Sequence, residues 1–445
     1  MGKWPQSIEL AAWAGWLLLI SATARLRILI MNLSLLGIIA TALVLSVTLN
    51  AEEFVFEANY DESKIPAYEL PDVLAGVTTA DDWVAKRVEW YDLLSREMFG
   101  MAPPESQGAT QFRSAADNTL VLDGKVLLRQ LIVELAGKEL NLALFLPKSA
   151  TEKAVPVFLG YNFNGNHTVI DDPAVLLPQS WMRSTSDHQA HEKDRGTSAS
   201  RWSIEQIVDG GFGLVTLYYG DVDPDFDDGF KNGVHEQLGI PAADQAASIA
   251  TWAWALSRVV DVLEKVEEVD ATKVAVFGHS RLGKTSLWAG ASDERIALVI
   301  SNDSGCGGAA LSRRRIGETV WRINDSFPHW FCGNFKKYGN HEADMPFDNH
   351  VLLALVAPRP LYVASAEADQ WADPKGEFLS CLHADPVYRL LGTEGLPTDT
   401  MPAVNEPVHG QIGYHMRSGK HDVTDFDWQQ YVEFATRHLS KLGPR

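Results

Sequence analysis

Cysteine is scarce in this chain, which has three cysteines, Cys306, Cys332 and Cys381, among its 445 residues. An odd number permits at most one disulfide, and a mature chain of roughly 390 residues buries enough surface to fold without one. Basic residues are also few, since 38 lysines and arginines face 58 acidic residues and leave a net charge of −20. Nucleic-acid binding requires a basic surface, so that class of function is excluded. The charge is compatible with a soluble secreted enzyme.

Long apolar runs are restricted to the first fifty residues. The run at residues 35–47 lies between Met31 and Ala51 and is shorter than the roughly 20 residues that a spanning helix needs. This layout predicts a signal peptide that is cleaved after Ala51. A second apolar run at residues 10–20 raises the alternative of two membrane passages. Arg25 and Arg27 interrupt the apolar stretch, however, so residues 1–30 are interpreted as an upstream extension. We therefore predict a signal peptide with its extension over residues 1–51, a single domain over residues 52–445, and a secreted or periplasmic protein without membrane association.

The rest of the chain has no internal repeat or low-complexity block, and its apolar segments predict strands and helices in alternation. Residues 127–135 and 140–146 have the pattern of a β-hairpin. Apolar strands are expected at residues 155–160, 213–219, 273–277, 296–301 and 360–364, and helices at residues 246–263 and 428–439. This alternation indicates an α/β fold with a mostly parallel sheet that is covered by helices on both faces. The polar segment 166–201 is interpreted as an inserted loop over the carboxyl edge of the sheet, where active sites lie.

Two acidic clusters imitate metal sites without matching their patterns. Residues 221–232 resemble a calcium-binding loop, but Phe226 and Asn232 replace the glycine and the glutamate that an EF-hand requires. This segment follows a predicted strand and is expected to shape the pocket instead. The second cluster lacks the H-E-x-x-H spacing of zinc enzymes and comprises His341, Glu342, Asp344, Asp348 and His350. No metal and no other cofactor is predicted.

Residues 278–285 read Gly-His-Ser-Arg-Leu-Gly-Lys-Thr and satisfy two incompatible catalytic motifs. The two glycines with Lys284 and Thr285 match the phosphate-binding P-loop, for which Asp303 could hold Mg²⁺. The same residues after strand 273–277 also have the order of a nucleophile elbow, which exposes a serine, here Ser280, between a strand and a helix. Because an exported protein meets almost no ATP, the elbow and acyl transfer are favoured.

An α/β-hydrolase needs an acid and then a histidine after its nucleophilic serine. Asp303 and Asp369 each follow a predicted strand, and His421 lies in a glycine-containing loop before the last helix. Asp369 follows the strand that usually carries the acid in this fold, so it is favoured over Asp303. Glu367 is a weaker candidate, which is considered because strand alternation could point its side chain in the same direction as that of Asp369. The spacing departs from the usual G-x-S-x-G, since Leu282 stands in place of the second glycine.

The elbow resembles that of the glucuronoyl esterases, carbohydrate esterase family 15, in which it reads Gly-x-Ser-Arg-x-Gly-Lys. The resemblance spans roughly residues 150–440 and includes, in the same order, blocks at residues 301–310, 317–322, 327–331, 357–362, 369–373 and 413–422. The chain is similar to the bacterial branch of the family, since fungal members carry cysteine at the position of His279. Cys306 and Cys332 both lie in matched blocks and could form a disulfide. Many members carry glutamate at Asp303, which leaves Asp303 and Asp369 as alternatives for the triad acid.

The resemblance implies an α/β-hydrolase fold and a serine esterase that cleaves the ester between (4-O-methyl-)glucuronic acid on xylan and an alcohol of lignin. Ser280 would be the nucleophile and His421 the general base. Arg281 would stabilise the oxyanion through its backbone N–H and its guanidinium.

The resemblance also implies how the sugar is bound. Lys284 and Glu318 would hydrogen-bond its hydroxyls, and Trp371 would line the pocket. The alternatives are an acetyl-xylan or short-chain carboxylesterase, and a weakly catalytic glucuronate-binding relative. A monomer that acts on a carbohydrate ester, with no nucleic-acid partner, is expected.

Overall fold

The computed structural model describes residues 56–104 and 110–440, and the elements below lie in one compact unit, Ala58–Arg445. The signal peptide and extension expected at residues 1–51 lie outside the described residues. Within the described ranges, no helix combines the length and the apolar character that crossing a bilayer would require.

An eleven-stranded mixed sheet forms the centre of this unit. Its strands are Gln111–Ser114 (β1), Thr119–Val121 (β2), Val126–Leu135 (β3), Lys138–Pro147 (β4), Val155–Asn162 (β5), Gly213–Tyr218 (β6), Val269–His279 (β7), Leu298–Asn302 (β8), Leu361–Ala366 (β9), Val408–His409 (β10) and Ile412–Arg417 (β11). They lie in the order β1-β3-β4-β6-β5-β7-β8-β9-β11-β10, with β2 paired to β3. The strands from β6 to β11 in this order are parallel, and the pairs toward both edges are antiparallel.

Helices cover both faces of the sheet. They are Ala80–Leu94 (α1), Ile204–Asp209 (α2), His235–Leu238 (α3), Ser248–Leu263 (α4), Arg281–Ser292 (α5), Val320–Ser326 (α6), Asn349–Ala354 (α7), Pro374–Leu390 (α8) and Asp425–Leu439 (α9). Side chains alternate along each strand, so β7 sends Val274 and Val276 into one core and Ala275 and Phe277 into the other. α4, α5, α7 and α8 cover the first core, and α2 and α9 cover the second. The predicted α/β-hydrolase architecture is confirmed.

The strands agree with the sequence pattern where they are apolar and differ where they are not. β3 and β4 form the expected hairpin, with Leu135 paired to Lys138 at its end. β7 begins at Val269, before the predicted start at residue 273. The sequence does not reveal this earlier start, because residues 270–273 are half-exposed and mostly polar. A bulge interrupts the pairing with β5 there, so no alternation marks this half in the sequence. The short edge strands β1, β2 and β10 were not predicted, since they have few buried positions. The parallel strand β11 was not predicted either, because its buried residues include a glycine, a histidine and an arginine and do not form an apolar run.

The segment 166–201 crosses the carboxyl edge of the sheet, as predicted. Arg183 forms an ion pair with Asp225 in the loop after β6. Arg201 Nε donates to Asp422 Oδ1 over 2.6 Å in the loop after β11. The insertion therefore connects loops from the two sides of the sheet.

Cys306, Cys332 and Cys381 are buried free thiols. The disulfide that the family blocks allowed between Cys306 and Cys332 is therefore not formed. Burial raises the pKa of the Cys332 thiol to about 11. It remains protonated at neutral pH and is a poor nucleophile for disulfide exchange.

Candidate active site

The carboxyl ends of the parallel strands meet at one edge of the sheet, and each strand is followed by a segment that contributes to a shared site. β7 leads to Ser280, β8 to Asp303, β9 to Asp369 and β11 to His421. β5 and β6 lead to the segments 162–166 and 221–229. Residues that are far apart in the sequence are thus brought together by the topology alone.

Ser280 lies at the turn between β7 and α5 with φ 58° and ψ −128°, a combination that non-glycine residues adopt at strained functional turns. Its N–H donates to the Asn302 carbonyl over 2.9 Å. Gly278 is needed because a Cβ there would lie 1.8 Å from the Leu282 carbonyl oxygen. This geometry is that of a nucleophile elbow. It is incompatible with the P-loop interpretation, since the chain enters α5 directly and leaves no open loop around a phosphate.

The departure from the usual motif has a physical reason. Leu282, where the motif has glycine, is 1% exposed and packs in the core. The close approach to the neighbouring loop occurs one residue later, at Gly283, where a Cβ would lie 3.0 Å from Ser304 Cβ. The second small residue is therefore displaced by one position without loss of the elbow.

His421 forms a short contact with Asp369. Its Nδ1 lies 2.6 Å from Asp369 Oδ2. The Asp369 side chain is buried, whereas the imidazole is 41% exposed. A carboxylate at Nδ1 fixes the ring orientation and retains a proton on Nδ1, so Nε2 is able to accept one. Glu367, the weaker alternative acid, is exposed.

Asp303 lies near the same imidazole but has a different partner. The potential ligand atoms of Asp303, Asp369 and His421 all lie within 4.8 Å of one another. Asp303 Oδ2 is 3.4 Å from Arg417 Nη2, with which it forms an ion pair. Burial, followed by the charges of Glu377 and Asp369, raises the pKa of Asp303 well above its usual range. The Arg417 charge opposes this rise. Asp369 is the acid in hydrogen-bond contact with His421.

His279 supports the imidazole of His421 from the side, which sequence analysis did not identify. The two ring centroids are 4.4 Å apart. His279 Nδ1 lies 2.5 Å from Asn302 Oδ1. Burial and the neighbouring His421 lower the pKa of His279 well below its usual range, so the ring stays neutral. It packs against the imidazole of His421 without adding charge to it.

A cavity of about 380 Å³ lies at the elbow, a size suited to a small ligand. It is lined by every residue that sequence analysis placed in the site, namely Ser280, Arg281, Lys284, Asp303, Glu318, Asp369, Trp371 and His421. Phe327 and Trp330, which sequence analysis did not assign to the site, also line it. Their rings stack with centroids 3.7 Å apart and form one aromatic wall.

Lys284 and Glu318 form an ion pair in the cavity wall, with 3.8 Å between Nζ and Oε2. Lys284 Nζ also donates to the Ser304 carbonyl over 2.5 Å. The Glu318 N–H donates to the Trp371 carbonyl over 3.1 Å, and Gly317 is required there because a Cβ would lie 2.3 Å from that oxygen. Burial raises the pKa of Glu318, opposed by the Lys284 charge and a hydrogen bond with the Trp371 side chain. An ammonium and a carboxyl are thus presented side by side.

The guanidinium of Arg281 lies between two aromatic rings. Its Cζ is 5.2 Å from the centroid of Phe163 and 5.0 Å from that of Trp330. Its Nε is 3.4 Å from Asp225 Oδ2. Arg281 is also the first residue of α5, where backbone N–H groups have no intrahelical acceptor. A charged and a backbone donor therefore lie beside Ser280.

The two acidic clusters are divided among separate partners. Asp221 Oδ1 accepts from Ser180 Oγ over 2.5 Å, and Asp223 Oδ2 accepts from Ser248 Oγ over 2.5 Å. In the second cluster, Asp348 accepts backbone N–H groups and His350 contacts the Pro71 carbonyl. Among the described side chains, neither cluster belongs to a group whose potential metal-ligating atoms converge.

The sequence predicts that the segment 221–229 shapes the pocket, but it does not distinguish Asp225 from the other aspartates of that segment. This segment has five aspartates in nine residues, and nothing in their spacing distinguishes one from another. The structure separates them, because Asp225 is the one that faces Arg281. The only signal available was that the whole segment follows a predicted strand.

Known esterases are similar to this chain in sequence and in structure. The family model for glucuronyl esterases of fungi matches residues 235–392. The carbohydrate esterase MZ0003 of an unknown prokaryotic organism is 47% identical over 403 residues, which cover 86% of this chain and 92% of that protein. The glucuronoyl esterase structure from Solibacter usitatus aligns with a TM-score of 0.79 and 44% identity over 84% of this chain and 99% of that one. The 4-O-methyl-glucuronoyl methylesterase of Schizophyllum commune is 29% identical over 71% of this chain and 70% of its own length. The chain belongs to the glucuronoyl esterases, carbohydrate esterase family 15.

Proposed function

We propose that the protein is a serine esterase that hydrolyses esters of glucuronic acid and of its 4-O-methyl ether. The observation that carries this proposal is the shared cavity, which Ser280, the Asp369–His421 pair and the Lys284–Glu318 pair all line. The family supports the substrate class, since a relative is named as a 4-O-methyl-glucuronoyl methylesterase.

In the proposed acylation, Ser280 Oγ attacks the ester carbonyl carbon while His421 Nε2 takes the hydroxyl proton. The carbonyl oxygen becomes negatively charged, and the Arg281 guanidinium and the N–H groups at the start of α5 stabilise it. The bond to the alcohol oxygen then breaks, and the alcohol leaves with the proton from His421. The glucuronoyl group remains as an ester on Ser280.

Deacylation repeats these steps with water as the nucleophile. His421 takes a proton from the water, whose oxygen attacks the ester carbonyl carbon. The Ser280 oxygen then leaves and regains its proton from His421, which releases glucuronic acid. In both halves the carboxylate of Asp369 stabilises the imidazolium of His421.

Lys284 and Glu318 are proposed to bind the sugar. An ammonium donates hydrogen bonds and a carboxylate accepts them, so the pair matches adjacent hydroxyl groups. The Trp371 side chain, which is 38% exposed, offers an apolar wall. Before substrate binds, the two charges compensate each other in the cavity wall.

The proposed natural substrate is an ester between glucuronoxylan and an alcohol of lignin, and the proposed active species is a monomer. His421, which would protonate the leaving alcohol, is 41% exposed. This opening supports a bulky alcohol, because such a group can extend from the base toward solvent.

The substrate class is tested by kcat/KM on benzyl glucuronate and on a simple acetate ester, for the wild type and for Lys284→Met. The wild type is expected to prefer the glucuronate strongly. The variant is expected to lose roughly 10- to 100-fold on the glucuronate and little on the acetate, because a hydrogen bond from a charged group contributes about 1.5–3 kcal/mol. The acetate ester serves as an internal control, since it has no hydroxyls for Lys284 to bind.

Lys336→Met is the matched control, since Lys336 is exposed and lies outside the cavity. Equal activity on both esters in the wild type would contradict the uronate specificity and indicate a short-chain carboxylesterase. Tight binding of glucuronate without turnover would indicate the weakly catalytic relative.

The protein is further proposed to be exported, on the pattern of residues 31–51, which lie outside the described residues. When the full chain is produced in a bacterium, it is expected outside the cytoplasm with Glu52 at its amino terminus. Intact mass and amino-terminal sequencing measure this directly, and a chain that begins at Met31 should yield the same product. An uncleaved chain in the cytoplasm would contradict the proposal.

A further inference from the structure

Asp225 is a buried carboxylate, 2% exposed, that receives hydrogen bonds from several directions. Its Oδ1 accepts from His329 Nε2 over 2.9 Å and from Trp330 Nε1 over 2.7 Å. Its Oδ2 accepts from Tyr219 Oη over 3.0 Å and from Arg183 Nη1. These donors fix the carboxylate on all sides, so its position is defined independently of any ligand.

The remaining neighbour of this carboxylate is Arg281, whose Nε lies 3.4 Å from Oδ2. The contact is an ion pair rather than a hydrogen bond, because Nε does not meet hydrogen-bond geometry. The Trp330 ring, held by its own bond to Asp225, lies on one side of the guanidinium, and Phe163 lies on the other. Two rings and one carboxylate together leave Arg281 little rotational freedom.

Asp225 and the two arginines beside it, Arg183 and Arg281, form a charged cluster. One carboxylate is shared between two guanidinium groups, those of Arg183 and Arg281, so the cluster keeps a net positive charge. Burial alone would raise the pKa of Asp225, but the hydrogen bond from His329 and the two arginine charges lower it well below its usual range. Asp225 is therefore ionised throughout the working pH range, and its hold on Arg281 does not titrate.

We propose that Asp225 is a positioning residue that holds the Arg281 guanidinium where negative charge develops on the ester carbonyl oxygen. The proposal rests on the proposed esterase function and on the role of Arg281 within it. Donors that are fixed before the reaction stabilise a transition state more than donors that must be ordered during it. An arginine without this carboxylate would sample several rotamers, of which few reach the oxygen.

A double-mutant cycle tests this proposal with Asp225→Asn, Arg281→Ala and the double variant, on whichever ester the wild type hydrolyses fastest. Asp225→Asn alone is expected to lower kcat by roughly 10- to 100-fold with little change in KM, the size of effect that a misplaced catalytic group produces. In the Arg281→Ala background the same change is expected to lower kcat less than about 2-fold, because nothing remains for Asp225 to position. Equal losses in both backgrounds would overturn the proposal, since a merely structural carboxylate lowers both alike.

Asp223→Asn is the matched control. Asp223 is buried on the same loop, and its carboxylate accepts from Ser248 over 2.5 Å without contacting Arg281. Its substitution is expected to leave kcat unchanged. A loss equal to that of Asp225→Asn would show that the loop, and not the contact with Arg281, is responsible.

A second measurement applies if Asp225→Asn does not fold. Arg281→Ala leaves an empty slot between Phe163, Trp330 and Asp225, which should accept a free guanidinium ion. Millimolar guanidinium is expected to restore kcat of Arg281→Ala at least about 10-fold with saturation, and methylammonium is not. Absence of rescue overturns the proposed slot. If Arg281→Ala kept the wild-type kcat, the oxyanion role of Arg281 within the proposed function would be refuted. That result differs from equal losses in both backgrounds of the cycle, which would overturn only the positioning role of Asp225.

Discussion

Ser280→Ala is expected to lower kcat on a glucuronate ester by about 10⁵-fold or more, because no other group can form the acyl intermediate. Binding should survive, since Lys284, Glu318 and Trp371 are unchanged. Alanine adopts the backbone angles of the elbow at no greater cost than serine, so the fold should also survive. The measurements are single-turnover hydrolysis and the affinity for glucuronic acid, each compared with the wild type.

Ser286→Ala is the matched control for this loss. Ser286 lies on α5, the helix that follows Ser280, and is buried, and its hydroxyl donates to the Ile300 carbonyl over 2.7 Å. It does not line the cavity, so kcat should remain near the wild-type value although stability falls. Residual activity of Ser280→Ala above about 1% would mean that hydrolysis does not pass through Ser280.

Asp369→Asn is expected to lower kcat by roughly 10³- to 10⁴-fold at pH 7–8, the loss that follows when a triad histidine is held in the wrong tautomer. The amide of asparagine can donate to His421 Nδ1, which then keeps its proton on Nε2, where it cannot accept one from Ser280. The loss should appear in kcat more than in KM, because Asp369 contacts the base and not the sugar. Steady-state kinetics with wild-type and variant enzyme would measure both.

Asp303→Asn is the matched comparison, with the same substitution in the same cluster. Asparagine keeps the shape of the side chain, and the Asp303 carboxyl pairs with Arg417 Nη2 at 3.4 Å, whereas Asp369 is the acid in contact with His421 Nδ1. The loss in kcat should therefore stay within about 10-fold. The reverse order, with Asp303→Asn the more damaging, would make Asp303 the triad acid and Asp369 its neighbour.

These two aspartates show how far sequence reasoning reaches. Each follows a parallel strand, and chain order alone left both open as partners of His421. The choice depends on the contact of 2.6 Å between His421 Nδ1 and Asp369 Oδ2 and on the placement of Arg417, which pairs with Asp303 from a strand two positions away in the sheet. Sequence order fixes which strand ends are adjacent, whereas side-chain direction depends on local turns such as the positive φ of 46° at Asp303.

The site residues that could not be predicted from the sequence contact other protein side chains instead of taking part in a catalytic motif. His279 and Asp225 act through another residue, His421 in one case and Arg281 in the other, so no motif for substrate chemistry includes them. Trp330 is aromatic at a position that packing alone would explain. Motifs identify groups that react, and the groups that hold them in place become visible only when contacts are known.

One short turn connects two parts of this site. Asp369 precedes the 3₁₀ turn Gln370–Ala372, and the carbonyl of Trp371 in that turn accepts the Glu318 N–H. The contact with the imidazole of His421 and the anchor of Glu318, which is proposed to bind the sugar, are therefore joined by one short turn. A sugar that fits badly against Glu318 would displace the same few atoms that orient His421. Discrimination among sugars would then be expressed in turnover as well as in affinity, and the two could not be tuned separately.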